Sequence, residues 1–193
     1  MLRIHLYYCF TFAARMMKFD HDSIVPYKES ELTKKQQVAE MFNRIAFRYD
    51  FMNRFLSVGT DIGWRKKALK QLAEEKPKVL LDVATGTGDI AIMAYELLKP
   101  DSIIGIDISE KMLEIGKAKV LKLGLEQHIQ LQSGDSEAIN FPSGSFDAVT
   151  VAFGVRNFEH LEQGLKEIKR VLKPGGKLVI LEFSKPKIPG ITQ

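Results

Sequence analysis

The spacing of hydrophobic and polar residues changes repeatedly along the chain, and each change predicts a different element. Short, almost wholly apolar runs predict buried strands, which fall at residues 79–84, 103–108, 129–132, 146–153 and 177–183. Most segments between them carry apolar residues at helical spacing and predict helices over residues 89–98, 110–123 and 161–172. Strands that alternate with helices of this length form βαβ units. The sequence therefore predicts an α/β fold with a parallel sheet covered by helices on both faces.

A separate helical pattern precedes the first strand. In residues 33–49 apolar residues recur at steps of three and four, which predicts a helix with one buried face, made of Val38, Met41, Phe42, Ile45 and Tyr49. Residues 1–14 are also apolar, but they are too short to span a bilayer and match a secretory signal poorly. We interpret residues 1–30 as a leader and an extended arm that are poorly ordered, and residues 31–193 as the folded domain.

Composition and charge narrow the class of protein. Apolar residues make up 45% of the chain and charged residues 27%, which is ordinary for a globular protein and excludes disordered and collagen-like chains. A single cysteine, Cys9, forms no internal disulfide, and the four histidines are too scattered to predict a metal site. The chain has a net charge of +4 and no block of like charges, so its charge does not predict nucleic-acid binding. The positive net charge is compatible with weak attraction to an anionic bilayer.

A glycine-rich turn follows the first predicted strand, in the sequence DVATGTGD from Asp82 to Asp89. Gly86 and Gly88 can adopt backbone angles that let a ligand approach the main chain closely. Asp107 ends the second predicted strand about 20 residues later, where a ribose-binding acid belongs in a nucleotide-binding fold. This pattern alone fits both a dinucleotide and S-adenosylmethionine (SAM).

The charges of the turn favour SAM. Asp82 precedes the turn, Asp89 follows it, and residues 79–98 contain no lysine or arginine. Repulsion between a phosphate and a carboxylate about 4 Å apart is about 4 kcal/mol at an effective dielectric constant of 20. A helix N-terminus stabilises a phosphate by only about 0.3–1 kcal/mol. SAM carries an ammonium and a sulfonium and no phosphate, so a turn lined with carboxylates favours it. Asp107 would then bind the ribose hydroxyls, and Asp135 and Ser136 would meet the adenine edge.

Several motifs resemble those of the class I SAM-dependent methyltransferases: residues 82–89, Asp107, residues 134–136 (GDS) and residues 173–176 (KPGG). Two longer motifs are similar to the signatures of the quinone-biosynthesis C-methyltransferases, which methylate demethylmenaquinol or a ubiquinol precursor. They are YDFMN at residues 49–53, followed by Leu56, Ser57 and Trp64, and RVLKPGGKLVILEFS at residues 170–184. FGVRN at residues 153–157 is also typical of this family.

The resemblance covers about residues 34–186 and includes three departures. Asp61 stands where the first signature commonly has histidine, and Ala152 stands where the family has a hydroxyl residue before FGVRN. Family members also continue for some tens of residues beyond the position of Gln193. The resemblance therefore implies a three-layer, Rossmann-like fold with a mostly parallel sheet, truncated after strand five of seven.

The resemblance also implies the site residues and the reaction. The SAM contacts fall on Thr87, Asp107, Asp135 and Ser136, in a site that Asp82, Gly86 and Gly88 shape. The reaction is an SN2 transfer of the sulfonium methyl to a ring carbon of a reduced quinone, and it requires no metal. Arg156 is our candidate for the group facing the quinol oxygen, because a guanidinium stays cationic and stabilises a phenolate. Tyr49 is its candidate partner. A surface ion pair for Arg156 and a packing role for Tyr49 remain the competing interpretations.

A quinol is a lipophilic substrate, so the resemblance implies a cytoplasmic enzyme in peripheral contact with the inner face of the cytoplasmic membrane. Arg65, Lys66 and Lys67, beside Trp64, are candidates for docking there. Five apolar residues can line a channel for the isoprenoid tail, although core packing is the simpler interpretation of most of them: Phe42, Phe51, Met52, Phe55 and Leu56. The sequence leaves open a naphthoquinol or benzoquinol acceptor and a homodimer. It also leaves open another small-molecule acceptor and a non-catalytic SAM-binding subunit.

Overall fold

The computed structural model describes residues 24–182, and the sheet they form has five strands, all parallel, in the order β3-β2-β1-β4-β5. The strands are β1 (Val79–Val83), β2 (Ser102–Asp107), β3 (Ile129–Ser133), β4 (Phe146–Ala152) and β5 (Leu172–Leu181). The predicted α/β fold with a parallel sheet is confirmed. The strand order reverses between β1 and β4, so ligands are expected beyond the carboxyl ends of these two strands.

Helices cover both faces of the sheet. They are α1 (Lys34–Leu56), α2 (Thr60–Leu69), α3 (Asp89–Leu98), α4 (Glu110–Lys122) and α5 (Leu161–Val171), with 3-10 turns at Lys70–Leu72 and Val155–Asn157. Leu80 and Leu81 of β1 are both fully buried but belong to different apolar clusters, because successive strand residues point to opposite faces. Leu80 packs with residues of α2, α3 and α4, and Leu81 packs with residues of α5. The result is three layers.

Helix α1 begins where the sequence predicts and extends beyond residue 49. Thr33 caps its first turn, because the Thr33 hydroxyl accepts from the Gln36 N–H while the Gln36 side chain accepts from the Thr33 N–H. The predicted buried stripe is only partly confirmed: Val38 is buried, but Ile45 is exposed. Polar and charged residues take part of the buried face instead, because α1 is held to the rest of the domain by hydrogen bonds as well as by apolar packing.

The last strand and the ends of the chain differ from the sequence pattern. Strand β5 begins at Leu172 and not at residue 177, so it includes the KPGG segment. Its pairing with β4 shifts register between Phe146 and Ala148, and the extra residues of β5 lie at this irregularity. Residues 1–23 of the predicted leader and residues 183–193 lie outside the described residues, and residues 24–33 contain no helix or strand. Within residues 24–182, no helix combines the length and the apolar character needed to cross a bilayer.

Candidate active site

A cavity opens at the carboxyl edge of the sheet, between the strand ends and α1. The loops after four strands supply one wall, with Ala84 and Gly86 after β1, Asp107 and Ile108 after β2, residues 134–137 after β3 and residues 153–154 after β4. Helix α1 supplies the facing wall through Lys35, Val38, Phe42 and Tyr49. The cavity therefore lies at the switch point that the strand order defines.

Gly86 and Gly88, in the loop after β1, are required for different structural reasons. Gly86 has a φ of +56° and faces the cavity, and a Cβ there would meet nothing closer than 3.8 Å, so its backbone angle is what requires glycine. Gly88 has a φ of +78° and caps α3, and a Cβ there would lie 3.1 Å from Leu131 Cδ1. Gly88 shapes the loop but does not line the cavity.

Asp82 lies behind this loop and not in the cavity, which corrects the predicted placement. Its buried carboxylate accepts hydrogen bonds from the Thr85 hydroxyl at 2.6 Å and from the Thr150 hydroxyl at 2.7 Å. Burial raises the pKa of Asp82 from 3.8 to about 6, although these two hydrogen bonds oppose the rise. Asp82 therefore fixes the loop after β1 to strand β4.

Asp107 lines the cavity at the end of β2, as predicted for a ribose-binding acid. Its Oδ2 atom accepts from the Gly86 N–H at 2.8 Å and its Oδ1 atom accepts from the Ser109 N–H at 2.9 Å. Burial raises the pKa of Asp107, and the backbone hydrogen bonds act against that rise. The two amides orient the carboxylate at the cavity wall.

Asp135 and Ser136 also line the cavity, and Asp135 has a partner that the sequence did not predict. The Lys35 ammonium of α1 lies 2.6 Å from Asp135 Oδ2 and 3.3 Å from Glu137 Oε2. Glu137 also accepts from the N–H groups of Glu159 and His160 and contacts the His160 ring, at 2.7–3.0 Å. Glu137, Glu159 and His160 have metal-ligand atoms in reach of one another, but this pairing of Glu137 explains their clustering without an ion.

Thr87 and Asp89 face α1 and α4 and do not line the cavity. The Thr87 hydroxyl donates to Asp50 Oδ1 at 2.7 Å, and the Lys119 ammonium lies 2.5 Å from Asp89 Oδ1. Arg65 also approaches Asp89, at 3.9 Å. The charge argument made from residues 79–98 alone is therefore wrong about Asp89, because bases distant in sequence neutralise it.

The two candidate catalytic residues have different placements. Tyr49 lines the cavity, with its ring edge against Phe42 at 5.7 Å between ring centroids. The Arg156 side chain is half exposed, does not line the cavity, and lies 2.8 Å from Glu182 Oε1. Its neighbour Asn157, which the sequence reasoning did not single out, does line the cavity. Of the nine predicted site residues, the cavity brings together Tyr49, Gly86, Asp107, Asp135 and Ser136.

The outer face of α1 is apolar and exposed, so the predicted core packing of this region is wrong for most residues. Phe42 lines the cavity, but four residues are exposed: Phe51, Met52, Phe55 and Leu56. Of the three basic residues predicted to dock on a membrane, one is not accessible. Arg65 is buried against Asp61 and Asp89, while Lys66 and Lys67 are exposed.

A glycine-rich turn after β1, an acid at the end of β2 and an acid after β3, all at one sheet edge, are typical of a class I SAM-dependent methyltransferase. The model of the ubiE/COQ5 methyltransferase family matches residues 30–193. The chain belongs to this family, and the protein is a SAM-dependent methyltransferase.

Two relatives illustrate the similarity. A demethylmenaquinone methyltransferase of Bacteroides fragilis is 48% identical over 170 residues, which cover 88% of this chain and 69% of that protein. A ubiquinone/menaquinone biosynthesis C-methyltransferase, UbiE, of Geotalea uraniireducens is 49% identical over 160 residues, which cover 82% and 68%. The matches thus span about two thirds of each relative.

Solved structures share the fold. A SAM-dependent methyltransferase from Aquifex aeolicus superimposes with a TM-score of 0.54 and 25% identity, covering 64% of this chain and 68% of that one. The cyclase SpnF superimposes with a TM-score of 0.66 and 22% identity, covering 82% and 64%. Because a cyclase shares the fold, the fold alone does not determine the reaction.

Proposed function

We propose that this protein transfers the methyl group of SAM to a ring carbon of a reduced quinone in respiratory quinone biosynthesis. The names of relatives at about 48% identity support the substrate class. The structural observation that carries the proposal is a single cavity with two kinds of wall. Polar groups of the sheet edge form one wall, and aromatic residues of α1 form the other.

The polar wall fits SAM. Asp107, oriented by the Gly86 and Ser109 amides, has the free lone pairs to accept from the two ribose hydroxyls. Asp135 and Ser136 lie one strand further along the sheet edge, where the adenine would extend. SAM, when bound, supplies an electrophilic methyl group on a sulfonium. The protein's task is to hold that group and the acceptor carbon in line.

The aromatic wall fits the ring of a quinol. Phe42 and Tyr49 of α1 line the same cavity as Asp107, and Phe153, after β4, adds a third ring from the facing wall. A ring carbon attacks only when the adjacent phenol has lost its proton, so the site needs a group that stabilises the phenolate. We assign Tyr49 to hydrogen-bond the quinol oxygen. Arg156 lies on the turn between the cavity residues Gly154 and Asn157. We propose that its guanidinium separates from Glu182 and stabilises the phenolate.

The outer face of α1 supports peripheral contact with a membrane. Phe47, Phe51 and Phe55 follow one another at steps of four residues and are 92%, 70% and 71% exposed. Arg44 and Arg48 are exposed on the same helix. An apolar stripe flanked by arginines is typical of a helix that lies in the interface of an anionic bilayer. Tyr49 of the same helix lines the cavity, so docking of α1 would hold the cavity close to the bilayer that holds the quinol.

A methylation assay tests the reaction. The protein is incubated with SAM labelled at the methyl group and with short-tailed demethylated naphthoquinol or benzoquinol, each also in its oxidised form. We expect label on carbon in one or both quinols and none in the quinones, because only the reduced ring becomes a phenolate. SAM binding without methylation of either quinol would refute the quinol assignment, and an Asp107→Ala variant that still binds SAM would refute the proposed ribose site.

A further inference from the structure

Four side chains from three separate segments meet beside the cofactor loop. The Lys119 ammonium of α4 lies 2.8 Å from Asp50 Oδ2, 3.0 Å from Thr87 Oγ1 and 2.5 Å from Asp89 Oδ1. The Thr87 hydroxyl in turn donates to Asp50 Oδ1 at 2.7 Å. We call Asp50, Thr87, Asp89 and Lys119 the latch.

The latch is compact and partly buried. Lys119 has three N–H donors and three oxygen acceptors within 3.0 Å, so its hydrogen-bonding capacity is filled. Thr87 is buried, and the three charged side chains are no more than 29% exposed. Charges in such a setting are screened less than a pair on the open surface. Gly116 makes the close approach of α4 possible, because a Cβ there would lie 3.1 Å from the Thr87 carbonyl carbon.

None of the four latch residues lines the cavity, but the latch joins the two walls. Asp50 follows Tyr49 on α1, and Thr87 follows Gly86 in the loop after β1. Tyr49 and Gly86 both line the cavity. A displacement of the latch would therefore move the aromatic wall relative to the cofactor wall.

We infer that Lys119 is a positioning residue for methyl transfer, which holds α1 against the cofactor loop and thereby sets both SAM affinity and the placement of Tyr49. This role rests on the proposed function of the cavity. Thr87, which the family resemblance assigned to SAM, acts here by linking the loop to Asp50.

Loss of the ammonium should affect Asp50 more than Asp89. Arg54 and Arg65 lie 3.8 and 3.9 Å from Asp89 Oδ2, so Asp89 keeps cationic neighbours without Lys119. Asp50 would keep the Thr87 hydroxyl and would face Asp89 without the cation between them. Asp50 therefore loses its ion pair in a Lys119 variant, whereas Asp89 keeps two. Because Arg54 belongs to α1, its pair with Asp89 remains as a second tie between α1 and α3.

The test compares Lys119→Met, Lys119→Arg and Asp50→Asn with the wild type, and uses Lys122→Met, an exposed lysine of the same helix, as the control. SAM dissociation constants are measured by calorimetry, and kcat and KM are measured with the quinol that the wild type methylates. We expect Lys119→Met and Asp50→Asn each to weaken SAM binding about ten-fold, which corresponds to about 1.4 kcal/mol, and to lower kcat. We expect Lys119→Arg to stay within about three-fold of the wild type, and Lys122→Met to be unchanged.

A double variant separates positioning from a general loss of stability. If Lys119 acts through Asp50, Lys119→Met adds little to the SAM affinity loss of Asp50→Asn, whereas independent effects multiply. SAM affinity and kcat within two-fold of the wild type in Lys119→Met would overturn the inference, as would multiplied effects. If Lys119→Met does not fold, Asp50→Asn and Thr87→Val decide by the same criteria.

The outcomes also separate this inference from the proposed function. SAM binding is measured without an acceptor, so an error in the quinol assignment leaves the affinity readout intact. A wild-type protein that binds no SAM would overturn both.

Discussion

Asp82 and Thr150 are partners across the two central strands, and the Thr150 hydroxyl donates to Asp82 Oδ1 at 2.7 Å. The other oxygen of Asp82 accepts from Thr85, which begins the turn of the cofactor loop. The pair therefore connects the loop after β1 to β4 at the point where the strand order reverses. The cost of this connection is a carboxylate in the core.

The buried carboxylate predicts a specific pH dependence of stability. Because burial raises the pKa of Asp82 from 3.8 to about 6, the folded protein binds this proton more tightly than the unfolded chain does. The contribution of Asp82 to the free energy of unfolding therefore falls as pH rises from about 4 to about 6, by up to about 3 kcal/mol. We expect Asp82→Asn to gain stability relative to the wild type over this range, measured by urea unfolding at pH 4, 5, 6 and 8.

Asp147 provides a control of the opposite sign. Although burial acts to raise the pKa of Asp147, hydrogen bonds from Lys173 and from the Val79 and Lys78 amides hold it below its ordinary value. Its contribution is present above that ordinary value and is lost as pH falls through the lowered pKa. Asp147→Asn should therefore lose stability relative to the wild type as pH rises. A constant difference between Asp82→Asn and the wild type at all four pH values would contradict the raised pKa.

Tyr49→Phe should slow methyl transfer without weakening SAM binding. The ring and its edge contact with Phe42 remain, so the free energy of unfolding should change by less than about 1 kcal/mol. Loss of the hydroxyl removes the proposed hydrogen bond to the quinol oxygen, and we expect kcat to fall at least about ten-fold. Single-turnover measurement checks this, with Tyr95→Phe as the control because Tyr95 stacks on His128 and does not line the cavity. Equal turnover in Tyr49→Phe and the wild type would leave Tyr49 only a packing role.

Arg156→Ala should also slow turnover, by about a hundred-fold, because it removes the cation proposed to stabilise the phenolate. SAM affinity should stay unchanged, because Arg156 does not line the cavity that holds the SAM-binding groups. The competing interpretation is that Arg156 acts only through its ion pair with Glu182. Glu182→Gln removes that pair and keeps the guanidinium, so it distinguishes the two. The catalytic interpretation predicts near-normal turnover in Glu182→Gln, and the ion-pair interpretation predicts equal losses in both variants.

Paired Phe51→Ser and Phe55→Ser substitutions should weaken binding to vesicles that contain anionic lipid. The two rings stack on each other at 5.9 Å and are largely exposed, so their loss should leave the fold stable. Sedimentation with vesicles measures the change, which we expect to be at least about ten-fold, and Leu121→Ser, an exposed residue of α4, is the control.

The same variants test whether the exposed face of α1 instead binds a second copy of this chain. If vesicle binding is unchanged and a concentration-dependent dimer dissociates instead, α1 is a contact between two copies and the membrane assignment of this face fails. Light scattering of the wild type and the double variant at several concentrations gives this answer.

The sequence by itself determined the strands, most helices and the loop of the cofactor site. These features depend on residues that are neighbours along the chain: apolar runs for β1 and β2, the positive φ angles of Gly86 and Gly88, and an acid at the end of β2. Backbone preferences and hydrophobic periodicity act over a few residues, so they can be read from a short segment. The parallel order of the strands then placed Asp107 and Asp135 at one edge.

Only the tertiary structure decided which charges meet and which side of α1 faces solvent. Lys35 pairs with Asp135 across 100 residues and Lys119 pairs with Asp50 across 69, and no local pattern specifies these partners. The same holds for the burial of Arg65 and the exposure of Phe51, which depend on what packs against α1 and α2. Electrostatic interactions depend on distance in space and not on separation along the chain. The charges of residues 79–98 alone therefore did not reveal the bases that surround Asp89.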